Sequence, residues 1–493
     1  MGLRWVNERT RPQMRRAHQR ARADTGRTSG RLTRPARRLL VSVTVRLEFN
    51  RGTITLSGCA EHDAAGLPGV LWDPRVRVYR APGYHYAALA AAVRSFESPV
   101  EDCVSPTDGC TVRTWAAPSL RPYQSAALTA WELSSARGMV VLPTGSGKTR
   151  LAMAAMASRR ARALCLVPTR VLLEQWRGEL AKEYDGPIGQ YGDGIRKLEA
   201  LTVATFASAF HHMETIGNRF DLLVVDEAHH FGTGANDEIL ELCTAPARLG
   251  LTGTPPANTI QQLRLEELIG PVVYRQSVSD LTGEYLAPLQ IVTLALDLTK
   301  DERKRYAAEV AIYHPVVRQF FRYAPRASWR DFQNAAIRTD EGRRAFGAWR
   351  RSRKLVAFTH AKREALSRIL VEHRQGRLLV FTGNNETAYA IAREHCIMPM
   401  TCDIGRNERK EVFERFRTGE LGALVSAQVL NEGIDLPDAE TAILVGGRLG
   451  TREYLQRIGR LLRPAAGKQA LVYELVMRDT HEVRNSTRMR REL

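Results

Sequence analysis

Short apolar runs alternate with helical stretches twice along this 493-residue chain, and this alternation limits the folds open to it. A continuous apolar run indicates a strand buried on both faces, as in a parallel sheet covered by helices. The runs are Met139–Leu142, Ala163–Val167, Leu201–Ala204, Leu222–Val225 and Leu249–Leu251, then Leu378–Phe381, Ala423–Ser426, Ala442–Val445 and Ala470–Leu475. The sequence therefore predicts the α/β class, with two parallel-sheet domains in tandem.

The flanking segments have different patterns. Val41–Phe49 alternates like a half-buried strand and Tyr86–Phe96 is helical, which predicts a small α+β module. The stretch Thr299–Arg353 is charged and largely helical, without strand signals. The predicted divisions are a basic arm (1–40), the small module with its linker (41–118), the first α/β domain (119–296), a helical insert (297–355), the second α/β domain (356–478) and a C-terminal tail (479–493).

Composition excludes several classes of protein. Hydrophobic residues make up 44% and charged residues 25%, which is ordinary for a folded protein and excludes a wholly disordered one. No run approaches about 18 apolar residues, so a membrane span is not expected. The seven cysteines form no C-x-x-C pair, which argues against a disulfide framework or a zinc site. We expect a cytoplasmic protein.

The net charge is +19, and 63 of the 72 basic residues are arginine. This balance favours a polyanionic partner. The first 40 residues hold twelve arginines and only two acids, Glu8 and Asp24. This arm is either a nucleic-acid-binding segment or a poorly ordered tail, and the sequence does not separate the two.

Aromatic residues of the small module lie among arginines. Interleaved aromatic and guanidinium groups suit base stacking with phosphate contact. Aromatic residues also form the core of small modules, and this second interpretation is favoured about two to one. The aromatic residues are Trp72, Tyr79, Tyr84 and Tyr86, and the arginines are Arg75, Arg77 and Arg80.

A phosphate-binding loop follows the first apolar run and opens a helix. Its glycines let backbone N–H groups converge on phosphate oxygens, and the helix N-terminus adds partial positive charge. Lys148 can reach the β and γ phosphates, and Thr149 can ligate Mg²⁺. The strict pattern has glycine where Leu142 stands. The residues predicted to bind the nucleotide are Thr144, Gly145, Ser146, Gly147, Lys148 and Thr149.

Adjacent carboxylates follow a later apolar run, in the segment Asp226-Glu227-Ala228-His229. A buried parallel strand delivers such groups to its carboxyl end, where ligands bind in these sheets. Asp226 would hold Mg²⁺, and Glu227 would orient and deprotonate an attacking water. The pair of motifs therefore predicts hydrolysis of a nucleoside triphosphate.

Together these motifs resemble the superfamily 2 helicases and translocases, over roughly residues 119–485. The resemblance implies two RecA-like domains that bind ATP and Mg²⁺ between them and nucleic acid across their tops. Leu120–Gln124 matches the family's adenine motif, which implies nucleotide contacts by Arg121 and Gln124. Leu166–Arg170 matches its strand-contact motif, so Thr169, Arg170 and also Thr205 are expected to contact nucleic acid.

The remaining family motifs imply further roles. Leu251–Pro255 matches the motif that couples the two sites, and the coupling residues implied are His229, Thr252, Thr254 and Gln456. In the second domain, Ser426–Asp435 resembles the motif that touches the ribose, with Gly433 and Asp435 at its key positions. Gln456–Arg463 matches the arginine-finger motif, which gives Arg460 and Arg463 the role of stabilising the transition-state charge.

Within the superfamily the chain resembles the XPB-like and restriction-translocase-like DNA branch. The small module corresponds to the damage-recognition-like domain of XPB relatives. Those relatives carry an Arg-Glu-Asp tripeptide shortly after the coupling motif, whereas this chain has the segment 255–261 (PPANTIQ) there. If that tripeptide separates strands, its absence predicts weak unwinding or translocation alone.

The predicted function is an ATP-dependent DNA helicase or translocase that acts on single-stranded or duplex DNA with little sequence specificity. Three alternatives remain open: an RNA helicase of the same superfamily, a duplex-DNA translocase subunit of a restriction or defence system, and a nucleic-acid-binding scaffold with an inactive ATP site. The resemblance suggests 3′ to 5′ polarity, and a prokaryotic, nucleoid-associated location is expected.

Overall fold

The computed structural model describes residues 44–96, 98–105, 111–116, 118–254, 258–401, 403–427, 439–446 and 470–490. The predicted basic arm lies outside these residues. So do five predicted site residues, namely Gly433, Asp435, Gln456, Arg460 and Arg463. Their predicted roles stay predictions.

The small module is a five-stranded sheet with two helices, as its alternating pattern predicts. Its strands are β1 (Val45–Asn50), β2 (Thr53–Ser57), β3 (Leu71–Asp73), β4 (Val78–Pro82) and β5 (Val100–Cys103), and its helices are α1 (Glu61–Ala64) and α2 (Tyr86–Val93). The strand order is β3-β4-β2-β1-β5. Leu47, Ile54 and Leu89 are fully buried between sheet and helix. Tyr79 and Tyr86 pack on this core, whereas Trp72 is 50% exposed.

The module rests on the first α/β domain. Tyr84 Oη donates to Glu267 Oε1 at 2.6 Å, and Asn218 Nδ2 donates to the carbonyl of Val104 at 2.7 Å. Gly52 has φ +80°, and a Cβ there would lie 2.3 Å from the Leu242 side chain. A larger residue at position 52 would therefore push the small module away from the first α/β domain.

The first α/β domain is built on an eight-stranded sheet of order β13-β6-β12-β11-β7-β10-β8-β9. The strands are β6 (Arg137–Val141), β7 (Ala163–Val167), β8 (Ile188–Gly192), β9 (Ile195–Lys197), β10 (Leu201–Thr205), β11 (Leu222–Val225), β12 (Ala247–Thr252) and β13 (Val272–Arg275). The helices are α3 (Pro122–Leu133), α4 (Lys148–Arg159), α5 (Arg170–Glu183), α6 (Phe206–Ile216), α7 (Glu238–Glu241), α8 (Thr259–Leu268) and α9 (Val278–Leu281). All five predicted strands of this series are present.

Strand β12, which carries Thr252 at its end, is anchored by a buried guanidinium. Arg248 is 0% exposed, and its nitrogens donate to the carbonyls of Leu240, Cys243, Ala245 and Leu268. Because two of these carbonyls lie in helices α7 and α8, the positive charge faces carbonyl-rich helix segments that favour it. The contacts fix β12 against the helices around it.

The second α/β domain contains a six-stranded sheet of order β14-β19-β18-β15-β17-β16. Its strands are β14 (Leu289–Leu296), β15 (Leu378–Phe381), β16 (Met398–Met400), β17 (Ala423–Ser426), β18 (Thr441–Leu444) and β19 (Ala470–Met477). Strand β14 pairs in parallel with β19 along eight residues. The predicted domain boundary at residue 296 was therefore wrong. Residues 289–296 were included in the first domain, but they form an edge strand of the second sheet.

Three helices of the insert follow β14, as predicted. They are α10 (Lys300–Tyr323), α11 (Trp329–Ala336) and α12 (Asp340–Ala357), and the second domain then adds α13 (His360–Glu372), α14 (Asn385–His395) and α15 (Arg406–Arg417). Helix α10 packs along α12. In the described parts of the chain, no helix is long and apolar enough to cross a membrane.

The last described segment is a helix, α16 (His481–Arg490), rather than the tail expected from its polar composition. Glu482 is buried and its carboxylate contacts Lys362 Nζ. Ser486 Oγ donates to Glu474 Oε2 on β19 at 2.7 Å. The prediction of a C-terminal tail was therefore wrong. Polar residues of this segment are buried because each of them pairs with a polar side chain elsewhere in the second domain.

Candidate nucleotide and nucleic-acid site

Five neighbouring parallel strands of the first sheet end at one edge, and each is followed by a predicted motif. In sheet order they are β6, β12, β11, β7 and β10. The phosphate loop follows β6, Thr252 ends β12, and Asp226 follows β11 directly. Thr169 follows β7, and Thr205 ends β10. The sheet thus places the predicted nucleotide residues after β6 and β11, the coupling residue Thr252 on β12 between them, and the predicted nucleic-acid residues at the ends of β7 and β10.

The phosphate loop has the backbone that its glycines permit. Gly145 has φ +86° and Gly147 has φ +78°, and helix α4 begins directly afterwards at Lys148. A Cβ at Gly147 would lie 2.5 Å from Gln124 Nε2. The loop is therefore closed against α3 and leads directly into the N-terminus of helix α4, where an anion is favoured.

Gln124 supports this loop directly. Its Nε2 donates to the carbonyls of Ser146 and Gly147 at 2.9 and 3.2 Å, and its Oε1 accepts from the Arg121 N–H at 2.9 Å. Tyr123, which the sequence did not single out, donates from Oη to the Ser146 carbonyl at 2.6 Å. The amide of Gln124 thus braces the loop, and its predicted contact with adenine stays a prediction.

A cavity of about 390 Å³ lies beside the loop. Its volume is in the range of ligand pockets. Its lining includes Arg121, Gln124, Gly145, Ser146, Gly147, Thr149, Gln175 and Glu179. This combination of main-chain N–H groups, hydroxyls and a guanidinium fits the phosphate and sugar groups of a nucleotide.

Lys148 occupies the centre of the loop. Its Nζ donates to the carbonyls of Leu142 and Pro143 at 3.2 and 3.4 Å. A Cβ on Gly253 would come within 3.6 Å of Thr144 Oγ1 and 3.7 Å of this Nζ. The coupling motif therefore lies against the phosphate loop.

The Asp226 carboxylate is buried, and the adjacent Glu227 side chain is 17% exposed. Burial and the neighbouring Glu227 charge raise the pKa of Asp226. Burial opposes ionisation of Glu227, but the hydrogen bond from His229 and the charge of Lys148 lower its pKa. Glu227 also has φ +51°, a strained conformation of the kind found at functional sites. The oxygens of these two adjacent carboxylates are ligands of the kind that Mg²⁺ prefers.

His229 joins the carboxylates to the coupling motif. Its Nδ1 lies 3.0 Å from Thr252 Oγ1 and 3.2 Å from Glu227 Oε2. Because Thr252 Oγ1 donates to the Thr254 carbonyl at 2.8 Å, we assign the proton to His229 Nδ1. Gln261, which sequence reasoning missed, donates from Nε2 to the His229 carbonyl at 2.8 Å. The predicted residues His229, Thr252 and Thr254 are thus in mutual contact.

Trp176 is a second residue whose place the sequence did not reveal. Its Nε1 donates to Asp226 Oδ2 at 2.9 Å. A buried indole N–H requires an acceptor, but the acceptor lies 50 residues away and no local signal identifies it.

The predicted nucleic-acid residues begin helices. Thr169 Oγ1 accepts from the Leu172 N–H as the N-cap of α5, and Thr205 Oγ1 accepts from the Ser208 N–H as the N-cap of α6, both at 3.3 Å. Arg170 is exposed and pairs with Asp193 at 3.0 Å. Thr205 is 6% exposed. The structure brings the three residues to one edge, and their contacts with nucleic acid stay predictions.

Three family models match the chain. Residues 47–104 match the Xeroderma pigmentosum group B helicase damage recognition domain. Residues 117–257 match the Type III restriction enzyme, res subunit, and residues 361–465 match the Helicase conserved C-terminal domain.

The chain is 34% identical over 434 residues to the DNA 3'-5' translocase XPB2 of Sulfurisphaera tokodaii, covering 86% of this chain and 96% of the relative. It is 30% identical to the DNA 3'-5' helicase XPB of Kineococcus radiotolerans, covering 75% of this chain and 61% of that relative. The helicase domain of Pyrococcus furiosus Hef shares the fold, with a TM-score of 0.50 at 18% identity over 75% of this chain and 98% of that one. The two RecA-like domains, the damage-recognition module and the first of these matches show that the chain belongs to the XPB family of superfamily 2 helicases and translocases.

Proposed function

We propose that this protein is an ATP-dependent DNA translocase with 3′ to 5′ polarity that unwinds duplex DNA weakly. The observation that carries the proposal is the order of motifs along one sheet edge, with nucleotide residues after β6 and β11, the coupling residue Thr252 on β12 between them, and predicted DNA residues at β7 and β10. The names of the archaeal and actinobacterial relatives support DNA as the substrate.

Four groups of residues in this chain would contribute to hydrolysis. The loop N–H groups and Lys148 bind the β and γ phosphates. Asp226 and Thr149 hold Mg²⁺, which when bound neutralises charge on the phosphate oxygens. Glu227, kept ionised by its low pKa, accepts a hydrogen bond from the attacking water and orients it. Arg460 and Arg463 are proposed to approach the γ phosphate from the second domain.

Coupling to DNA would use the network around His229. A change at the γ phosphate moves Glu227, whose carboxylate faces His229, and His229 contacts Thr252. Thr169, Arg170 and Thr205 would bind the sugar–phosphate backbone, so binding would be weakly sequence-specific and strongly salt-dependent. A DNA-directed motor is expected to act on the nucleoid.

The test is ATP hydrolysis measured with single-stranded DNA, duplex DNA, forked DNA and RNA, with strand displacement followed on the fork. We expect stimulation by DNA, with displacement slower than hydrolysis. Stimulation by RNA alone would make the protein an RNA helicase. Hydrolysis on duplex DNA without displacement would favour a pure translocase, and hydrolysis indifferent to every nucleic acid would overturn the proposal.

A further inference from the structure

Trp176 and Asp226 form a buried contact that motif assignments do not include. Trp176 is 1% exposed and Asp226 is 7% exposed, and the indole Nε1 donates to Oδ2 at 2.9 Å. The other oxygen, Oδ1, accepts from the Glu227 N–H at 3.0 Å. Each carboxylate oxygen therefore has one fixed donor, which sets the plane of the carboxylate and leaves its remaining lone pairs for a metal or its waters.

Helix α5 connects this contact to the predicted DNA surface. The helix is capped by Thr169 and begins at Arg170, both predicted DNA contacts. Trp176 follows seven residues after the cap, which is about 10 Å along a helix axis. Gln175 and Glu179 of the same helix line the nucleotide cavity. One rigid element thus carries predicted DNA contacts, part of the cavity wall and the donor to Asp226.

We propose that Trp176 is a positioning residue, which orients Asp226 for Mg²⁺ and makes α5 the link through which DNA binding strengthens the metal–nucleotide site. The inference rests on the proposed function. Partners that orient metal-binding carboxylates have large effects on metal affinity, about 10- to 100-fold when removed. A shift of α5 on binding DNA would move the indole, and with it the carboxylate, because the core around Trp176 is closely packed.

The same core offers a matched control. Trp131 is 0% exposed, and its Nε1 donates at 2.9 Å to the carbonyl of Arg248 rather than to a metal-binding group. Trp131→Phe and Trp176→Phe each remove an indole N–H and the same buried volume. If Trp176 has a purely structural role, the two variants should show the same Mg²⁺ dependence of nucleotide binding.

The experiment measures binding of a fluorescent ATP analogue at increasing Mg²⁺ concentrations without DNA, together with the thermal midpoint of each variant. For Trp176→Phe we expect the Mg²⁺ concentration at half-saturation to rise on the order of tenfold, with unchanged binding in EDTA. Trp131→Phe should keep the wild-type Mg²⁺ dependence at a similar loss of thermal stability. Equal Mg²⁺ dependence in the two variants would overturn the positioning role.

The wild-type protein supplies a second test that needs no variant. Saturating duplex DNA should lower its Mg²⁺ half-saturation severalfold, and by linkage Mg²⁺ with the nucleotide should tighten DNA binding by the same factor. If DNA leaves the Mg²⁺ dependence unchanged, the link through α5 is wrong. Failure of DNA to stimulate hydrolysis would instead overturn the proposed function, while the comparison of the two variants without DNA would still decide the role of Trp176.

Discussion

Lys362 Nζ lies 2.8 Å from both carboxylate oxygens of Glu482, and the lysine side chain is 0% exposed. The same Nζ donates to the carbonyl of Val356 at 2.7 Å. Burial lowers the pKa of Lys362, and the carboxylate opposes that change. The pair joins the end of the insert, the first helix of the second domain and the C-terminal helix, so one ionic contact holds three segments together.

Glu482→Gln should destabilise the protein strongly, because it leaves a buried ammonium without its counter-charge. Breaking such a pair costs about 3–5 kcal/mol. Urea denaturation of the variant would measure the loss. Glu386→Gln is the control, since Glu386 pairs with Lys354 at 2.9 Å with both side chains exposed, and such pairs contribute about 0–1 kcal/mol. Equal denaturation midpoints in the two variants would show that the buried pair does not hold the C-terminal helix.

Stability should also depend on the protonation of His481. Burial, together with the nearby charges of Arg353 and Lys362, lowers the pKa of His481 from 6.5 to about 3. Between these values the unfolded chain binds a proton that the folded chain does not, so the free energy of unfolding falls as pH decreases from 6.5 toward 3. This group contributes about 1.4 kcal/mol per pH unit. Denaturation of His481→Gln at several pH values should show a shallower slope of stability against pH than the wild type, and an unchanged slope would contradict this prediction.

The strands that the sequence predicted most accurately are those marked by an apolar run within the strand itself. The runs Leu378–Phe381 and Ala423–Ser426 match β15 and β17 at both ends, because runs of three or four consecutive apolar residues require burial on both faces. The sequence predicted no strand at Leu289–Leu296 and placed these residues in the first domain, because their partner β19 begins only 181 residues later, after the whole insert. A pattern indicates that a segment is a strand but not which sheet it joins.

In the candidate site, likewise, residues marked by their neighbours in sequence were predicted, and residues whose partners are distant in sequence were not. The loop glycines and the carboxylates after β11 were identified because their chemistry requires those residue types next to each other in sequence. Trp176 and Gln261 were not, since they act on Asp226 and the His229 carbonyl from 50 and 32 residues away. The C-terminal helix was not predicted, since the Lys362 ammonium that pairs with its buried Glu482 lies 120 residues away in sequence.

Glu227→Gln should separate nucleotide binding from turnover. The amide has nearly the volume of the carboxylate but cannot accept a proton from water, so hydrolysis should fall about 10²–10⁴-fold while binding of the nucleotide is retained. Phosphate release and equilibrium binding of a fluorescent ATP analogue measure the two quantities. Glu132→Gln, on the exposed face of α3, is a control for the substitution. Wild-type turnover by Glu227→Gln would assign the water-orienting role to another group.

Thr252→Val should weaken the coupling of DNA binding to hydrolysis more than hydrolysis itself. The valine keeps the shape of the threonine but removes the hydroxyl that contacts His229 Nδ1 and the Thr254 N–H, which leaves buried polar groups unsatisfied at about 1–3 kcal/mol. Thr202→Val is the matched control, because Thr202 is 0% exposed on β10 and its hydroxyl contacts the main chain of Glu199. Both variants should lose comparable stability in urea, but only Thr252→Val should lower the ratio of DNA-stimulated to unstimulated phosphate release. If Thr202→Val lowers that ratio equally, the effect belongs to sheet stability, and the contact between His229 and Thr252 does not transmit the signal.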